Sequence, residues 1–210
     1  MKAAKQTGLL LALCLLLTGC GRSRGEEAVR KWAETLNGTG DLAFTAAVRA
    51  EYAQKTARFT LRYEEDESGG RVTVLAPELI QGITARVAPG GTTLEYDSVV
   101  LDTGSLDSLG LSPLSAMPML LRAMRVGHID SVWEEDGKTV AQFEPDDLLR
   151  CTVWFEKGSM RPMRAELMTD GHVTVYLDIS DWQLGQRAEE PEETAETAED
   201  AGETATQEDT

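Results

Sequence analysis

Few side chains in this sequence are placed to do chemistry: three cysteines, two histidines and a knot of carboxylates around one proline. A cysteine becomes a nucleophile where a basic neighbour lowers its pKa. It becomes a metal ligand where a second cysteine or a histidine lies at short spacing. Cys151 has neither setting. It alternates with Val153 and Phe155, a strand pattern in which a free cysteine serves as a small buried apolar residue. His128 and His172 stand where strands are expected to begin, with no ligand spacing to each other or to Cys151, and read as satisfied or solvated. Glu144, Asp146 and Asp147 surround Pro145. Paired carboxylates can share acid and base roles where burial separates their pKa values, but in a turn beside proline they read as solvated. The chain has no Gly-x-Ser-x-Gly elbow, phosphate loop, His-Glu-x-x-His or Cys-x-x-Cys. The expectation is a protein that is not an enzyme, with no catalytic residue, no metal site and no cofactor.

The remaining chemistry lies at Cys20, where "LLALCLLLTGCGRS" (Leu10 to Ser23) follows Lys2 and Lys5. The apolar run is too short for a bilayer core, which needs about 20 residues in a helix. With its basic flank it has the form of a signal-peptide core. Leu17-Thr18-Gly19-Cys20 resembles the lipobox of bacterial lipoproteins. That resemblance implies that the Cys20 thiol receives a diacylglycerol and that residues 1–19 are cut away. The mature protein would then be extracytoplasmic and anchored to the cell membrane by an N-terminal lipid. Each buried methylene is worth about 0.8 kcal/mol, so several acyl chains hold durably. With Cys20 acylated, Cys151 has no partner for an internal disulfide.

Composition divides the rest. Residues 20–25 form a short linker. Residues 186–210 hold ten acids against one arginine and no large apolar residue, and carry about nine of the sixteen net negative charges. Such a segment cannot offset its ordering entropy by burial and reads as a disordered acidic tail. It is a solvated charge run, with an interaction tail as the alternative. Residues 26–185 suffice for one domain with a true core. The domain has no basic stripe, which argues against nucleic acid as a partner.

Periodicity then assigns the elements. Val29, Trp32, Ala33 and Leu36 fall on one face of a leading helix over Glu26 to Leu36. "ARFTLRYEED" alternates, with Phe59, Leu61 and Tyr63 on one face and Arg58, Thr60, Arg62 and Glu64 on the other. The following strands offer Val72, Val74, Ile83, Val87, Leu94 and Tyr96 as inward residues, split by Gly-Gly and Pro-Gly turns. Ser112 caps a second helix with Pro113 at its first position. There Leu114, Met117, Leu120, Leu121 and Met124 form an apolar stripe, Gly127 stops the run, and Pro118 predicts a kink or two short pieces. Strands resume with hairpin turns at Asp136-Gly137, near Gly158 and at Asp170-Gly171. The sum is a mainly β, α+β domain. We expect about nine to eleven antiparallel strands, curled into an unclosed half-barrel whose concave face is covered by the N-terminal helix and the inserted helical lid.

A lipoprotein signal, a leading helix, an antiparallel meander and an apolar helical insertion resemble the lipoprotein-carrier superfamily of LolA, LolB and mycobacterial lipid-binding lipoproteins. Within it, "PELIQGITARV" and "TTLEYDSVVLDTG" look like lipoproteins of the germination (GerS) type, which partner a cortex amidase. The resemblance implies an apolar cavity for a lipid or acylated ligand, lined by Phe59, Leu61, Val74 and Leu94 and lidded by Leu114, Met117, Leu120, Leu121 and Met124. Methionines adapt to irregular apolar partners, which suits a groove, although the same stripe could simply pack on the sheet. A fixed anchor argues for an acceptor, sensor or scaffold rather than a shuttle. A protein-binding scaffold or activator for an envelope or cell-wall enzyme of sporulation or germination is the alternative function.

Cys20→Ala removes the lipid acceptor, so the protein should leave the membrane fraction or accumulate unprocessed. Fractionation decides this: a variant that still partitions wholly with membranes would place the anchor elsewhere.

Overall fold

The computed structural model describes residues 24–52, 55–88, 91–104 and 112–185. The lipobox, Cys20 and the acidic tail lie outside the described residues. Helix α1 (Arg24–Asn37) precedes six strands: β1 (Leu42–Tyr52), β2 (Lys55–Asp66), β3 (Gly69–Ala76), β4 (Thr84–Ala88), β5 (Gly91–Tyr96) and β6 (Val99–Gly104). Helix α2 (Pro113–Val126) leads into β7 (His128–Glu135), β8 (Lys138–Glu144), β9 (Leu149–Glu156), β10 (Pro162–Thr169) and β11 (His172–Leu184). The strands form one antiparallel sheet in the order β6-β5-β4-β3-β2-β1-β11-β10-β9-β8-β7. Two meanders are therefore joined at a central seam, where Ala46 stands opposite Ile179 and Val48 opposite Leu177. The first and last strands of the sheet, β6 and β7, do not pair, and the half-barrel stays unclosed.

Alternation sets the two faces. Phe44, Ala46, Val48 and Ala50 of β1 are buried, as are Leu61 and Tyr63 of β2 and Val72 and Val74 of β3. Cys151, Val153 and Phe155 continue the face on β9, and Val175, Leu177 and Ile179 on β11. These side chains meet both helices in a single apolar cluster. Helix α1 buries Val29, Trp32 and Leu36. Trp32 stands edge-on to Phe155 with ring centroids 4.8 Å apart, a favoured aromatic geometry. Glu26 and Glu27 occupy the first turn of α1, where the helix dipole favours negative charge.

Helix α2 begins as its sequence requires. The Ser112 hydroxyl accepts from the Ser115 backbone N–H, while the Ser115 hydroxyl accepts from the Ser112 N–H. Pro113 follows the cap, where its missing N–H goes unneeded. The two short pieces expected around Pro118 do not form, and α2 runs unbroken for 14 residues. Pro118 is itself buried, and packing of the surrounding apolar face outweighs the one lost backbone bond. Gly127 ends the helix by donating to the Ala123 carbonyl at 2.9 Å.

Two further expectations need correction. The segment "TTLEYDSVVLDTG" folds into two strands, β5 and β6, turning at Asp97 and Ser98 with φ of 47° and 67°. Neither residue is glycine, so the usual signal for a turn with two positive φ angles was missing. Tyr96, expected to point inward to the core, is 50% exposed because it sits beside that turn. In β4 the residue wholly enclosed is Ala85, with Ile83 and Val87 on the same face only half-buried.

A side chain at position 127 would place its Cβ 2.3 Å from the Ala123 carbonyl oxygen. Gly127→Ala should therefore destabilise the domain by about 1–3 kcal/mol through overpacking, read as a lowered urea midpoint at unchanged slope. An unchanged midpoint would show that the turn between α2 and β7 gives way freely.

Candidate binding site on the concave face

The nine residues expected to line a cavity all join the one apolar cluster, in two groups. Leu61, Val74, Met117, Leu120, Leu121 and Met124 are at most 2% exposed. A side chain so enclosed lines no water-sized void, so the space between these residues of α2 and the sheet is filled. Phe59, Leu94 and Leu114 are half-buried and pack against the cluster from its margin. Met119 joins them there, whereas the other two methionines of the stripe are fully enclosed.

The margin lies toward β6. Cross-strand register makes one concave row from Tyr63 through Val72, Ala85 and Leu94 to Leu101. Every member is apolar or aromatic, yet burial fails along it. Val72 is fully enclosed, Ala85 is 1% exposed, Leu94 is half-buried and Leu101 is 60% exposed. The cause is the reach of α2, which packs chiefly on β1–β3 and β8–β10. The apolar trough is longer than its lid, and Tyr96 and Val99 share the open part with Leu101.

A polar latch fixes the far end of α2. Arg125 Nη1 lies 2.7 Å from Glu65 Oε1, with both side chains about four-fifths buried. Tyr63 donates its hydroxyl to Glu65 Oε2 at 2.9 Å. Burial first, and the Glu65 charge second, push the Tyr63 phenol well above its ordinary pKa, so it remains a proton donor. The Asn37 side-chain amide of α1 donates to the Arg125 carbonyl at 3.0 Å. Sequence reasoning missed this constellation because Glu65 and Arg125 are far apart in the chain. One signal was present: Glu65 shares its alternation with Leu61 and Tyr63, which puts a carboxylate on the apolar side of β2.

The residues weighed for chemistry lie apart from the trough. Cys151 is enclosed, and burial, reinforced by the Asp146 charge, pushes its thiol up to about 12, which keeps it unreactive at neutral pH. His128 and His172 are exposed at the first positions of β7 and β11. Glu144 accepts from Arg150 Nε at 2.6 Å, and Asp146 accepts the Leu148 and Leu149 backbone N–H groups at 3.0 Å. These carboxylates shape a turn. Among the described residues, no three His, Cys, Asp or Glu side chains are grouped to hold a metal ion. Three open clefts of the surface draw no wall from α2. One of about 590 Å³ lies on the opposite face of the sheet, beside Arg49, Arg58 and Arg164, where the Arg49 guanidinium stacks 3.7 Å from the Tyr176 ring.

An open antiparallel sheet with helices packed into its concave side defines the class as an unclosed β-half-barrel. No family model and no curated protein matches the chain. Solved structures do resemble it, and LolA-superfamily and lipoprotein-sorting proteins are among them. A putative outer membrane lipoprotein-sorting protein domain from Vibrio parahaemolyticus is 15% identical, with a TM-score of 0.48, covering 80% of this chain and 96% of its own. A LolA superfamily protein from Nitrosomonas europaea is 11% identical, with a TM-score of 0.43, covering 76% and 94%. A chain from the structure of the CwlD amidase of Clostridioides difficile in complex with the GerS lipoprotein is 13% identical, with a TM-score of 0.40, covering 78% and 97%. These likenesses concern the course of the chain alone.

Arg125→Met should cost about 1–3 kcal/mol by leaving the largely buried Glu65 without its cation, and should speed amide exchange in the last turns of α2. A double-mutant cycle with Glu65→Gln tests the latch: losses that simply add would show that the two side chains are not coupled.

Proposed function

We propose that the chain is a non-catalytic envelope lipoprotein, tethered outside the cell membrane through Cys20, that binds a lipid or acylated ligand on its concave face. The observation that carries this reading is the concave row running apolar from Val72 to Leu101 while its burial fails. An acyl chain laid along Leu94, Tyr96, Val99 and Leu101 covers surface that the fold leaves wet, at about 0.8 kcal/mol per methylene removed from water. The enclosed side chains of α2 lid the inner end of that trough. A longer chain reaches further only by displacing Met117 or Met124, whose unbranched side chains repack readily. The tether limits the protein to ligands that come to the membrane surface, which suits an acceptor or sensor. A second reading, a scaffold or activator for an envelope or cell-wall enzyme, draws support from the exposure of β6 on both faces.

Binding of a fluorescent fatty acid separates the two. Leu101→Glu, at a side chain already 60% exposed, should leave the melting temperature unchanged and weaken uptake at least tenfold. Met124→Ala should instead cost about 2–5 kcal/mol of stability and alter uptake by opening space under the lid. A protein that neither carries lipid on purification nor takes up the probe overturns the lipid reading and leaves the scaffold in its place.

A further inference from the structure

Among the described residues, strand β6 pairs on one side only, with β5. Its Val99, Val100 and Leu101 are 68%, 63% and 60% exposed, so apolar side chains leave both faces of this edge strand uncovered. Edge strands are normally blunted by charge, because a free row of backbone groups beside apolar side chains invites another strand. The opposite edge is blunted in that way: β7 carries Asp130, Glu134 and Glu135, and its Ile129 and Val132 pack against the core. Strand β6 has Asp102 alone.

The ladder shows which groups the edge offers. The two-residue turn at Asp97 and Ser98 makes Tyr96 and Val99 the closing hydrogen-bonded pair. Antiparallel alternation then turns the N–H and C=O of Val100, and again of Asp102, away from β5 and toward the free edge. Charge narrows the partner. Residues 91–104 contain Glu95, Asp97 and Asp102 and no lysine or arginine. Arg86 neutralises Glu95 at 3.1 Å, while Asp97 and Asp102 face solvent.

The geometry points to β6 as a docking edge for an extended segment of a partner protein, one with alternating apolar side chains and lysine or arginine at its ends. The segment adds a twelfth strand, its backbone bonding to Val100 and Asp102 and its basic ends meeting Asp97 and Asp102. A second copy of this chain fits less well, because it would lay two acidic hairpins side by side on chains of net charge −16. An anionic membrane surface is opposed by the same carboxylates. Strand addition uses the backbone edge rather than the trough, so it holds whether or not the concave face takes lipid.

The test uses the full chain and two synthetic peptides, Lys-Val-Thr-Val-Thr-Val-Lys and the same peptide with aspartate at both ends. The lysine peptide should bind in fluorescence anisotropy at low salt and slow amide exchange at Val100 and Asp102 at least tenfold. The aspartate peptide should bind at least tenfold more weakly. Val100→Pro removes an outward N–H that pairs with no described strand, a position where edge strands tolerate proline. It should abolish binding at unchanged circular dichroism and melting temperature. Val100→Lys, at a side chain already 63% exposed, keeps the backbone edge and should repel the lysine peptide. The inference is overturned if the lysine peptide fails to bind at millimolar concentration or if both peptides bind alike. Protection on β7 instead, or undiminished binding by folded Val100→Pro, overturns it equally. A dimer in sedimentation with Val100 and Asp102 already protected would assign the edge to a second copy.

Discussion

Covering one long apolar face governs the rest of this molecule. Eleven antiparallel strands present Phe44, Leu61, Val72, Val153, Leu177 and their neighbours on the same side, more apolar area than water tolerates bare. A flat sheet could not hide it. Curvature brings the face around α2, and α2 supplies Met117, Leu120, Leu121 and Met124 to fill the hollow. Helix α1 closes what remains near β7 and β8. The arrangement is economical for strands near the centre and insufficient at β5 and β6. That local deficit, rather than any cluster of polar groups, is the feature on which both proposals rest.

Most of the fold was legible because each local signal agreed with the global one. Ser112-Pro113 announced the start of α2, Asp136-Gly137 and Asp170-Gly171 announced hairpins, and alternation at Phe59, Leu61 and Tyr63 gave the face of β2. Where local signals were silent, reading failed. Asp97 and Ser98 turn the chain without glycine, so no turn was announced between β5 and β6. Pro118 spoke for a break that tertiary packing overrides. The seam between β1 and β11 was invisible for another reason: alternation gives the face of a strand but says nothing of its neighbour in the sheet.

The candidate site was legible as a set and not as a shape. All nine apolar residues do converge, since a shared face and a shared stripe force them together. Whether the space between them is filled depends on side-chain volumes across strands distant in sequence, which no period reports. Burial resolved that, enclosing Met117 and Leu120 while leaving Leu94 and Leu114 at the rim. The Arg125–Glu65 contact was hidden similarly, being a meeting of two elements rather than a property of either.

The central seam has a consequence for how the chain comes to be folded. Leu42 opens the first strand and Leu184 closes the last, and they stand opposite each other, with the Gly185 N–H donating to the Asp41 carbonyl at 2.9 Å. Each meander can form from neighbours in sequence, but the sheet becomes one body only when its final strand reaches its first. A contact of such sequence separation forms late. This timing keeps the chain open until its last strand is available. The topology thus works as a clasp that the last strand shuts.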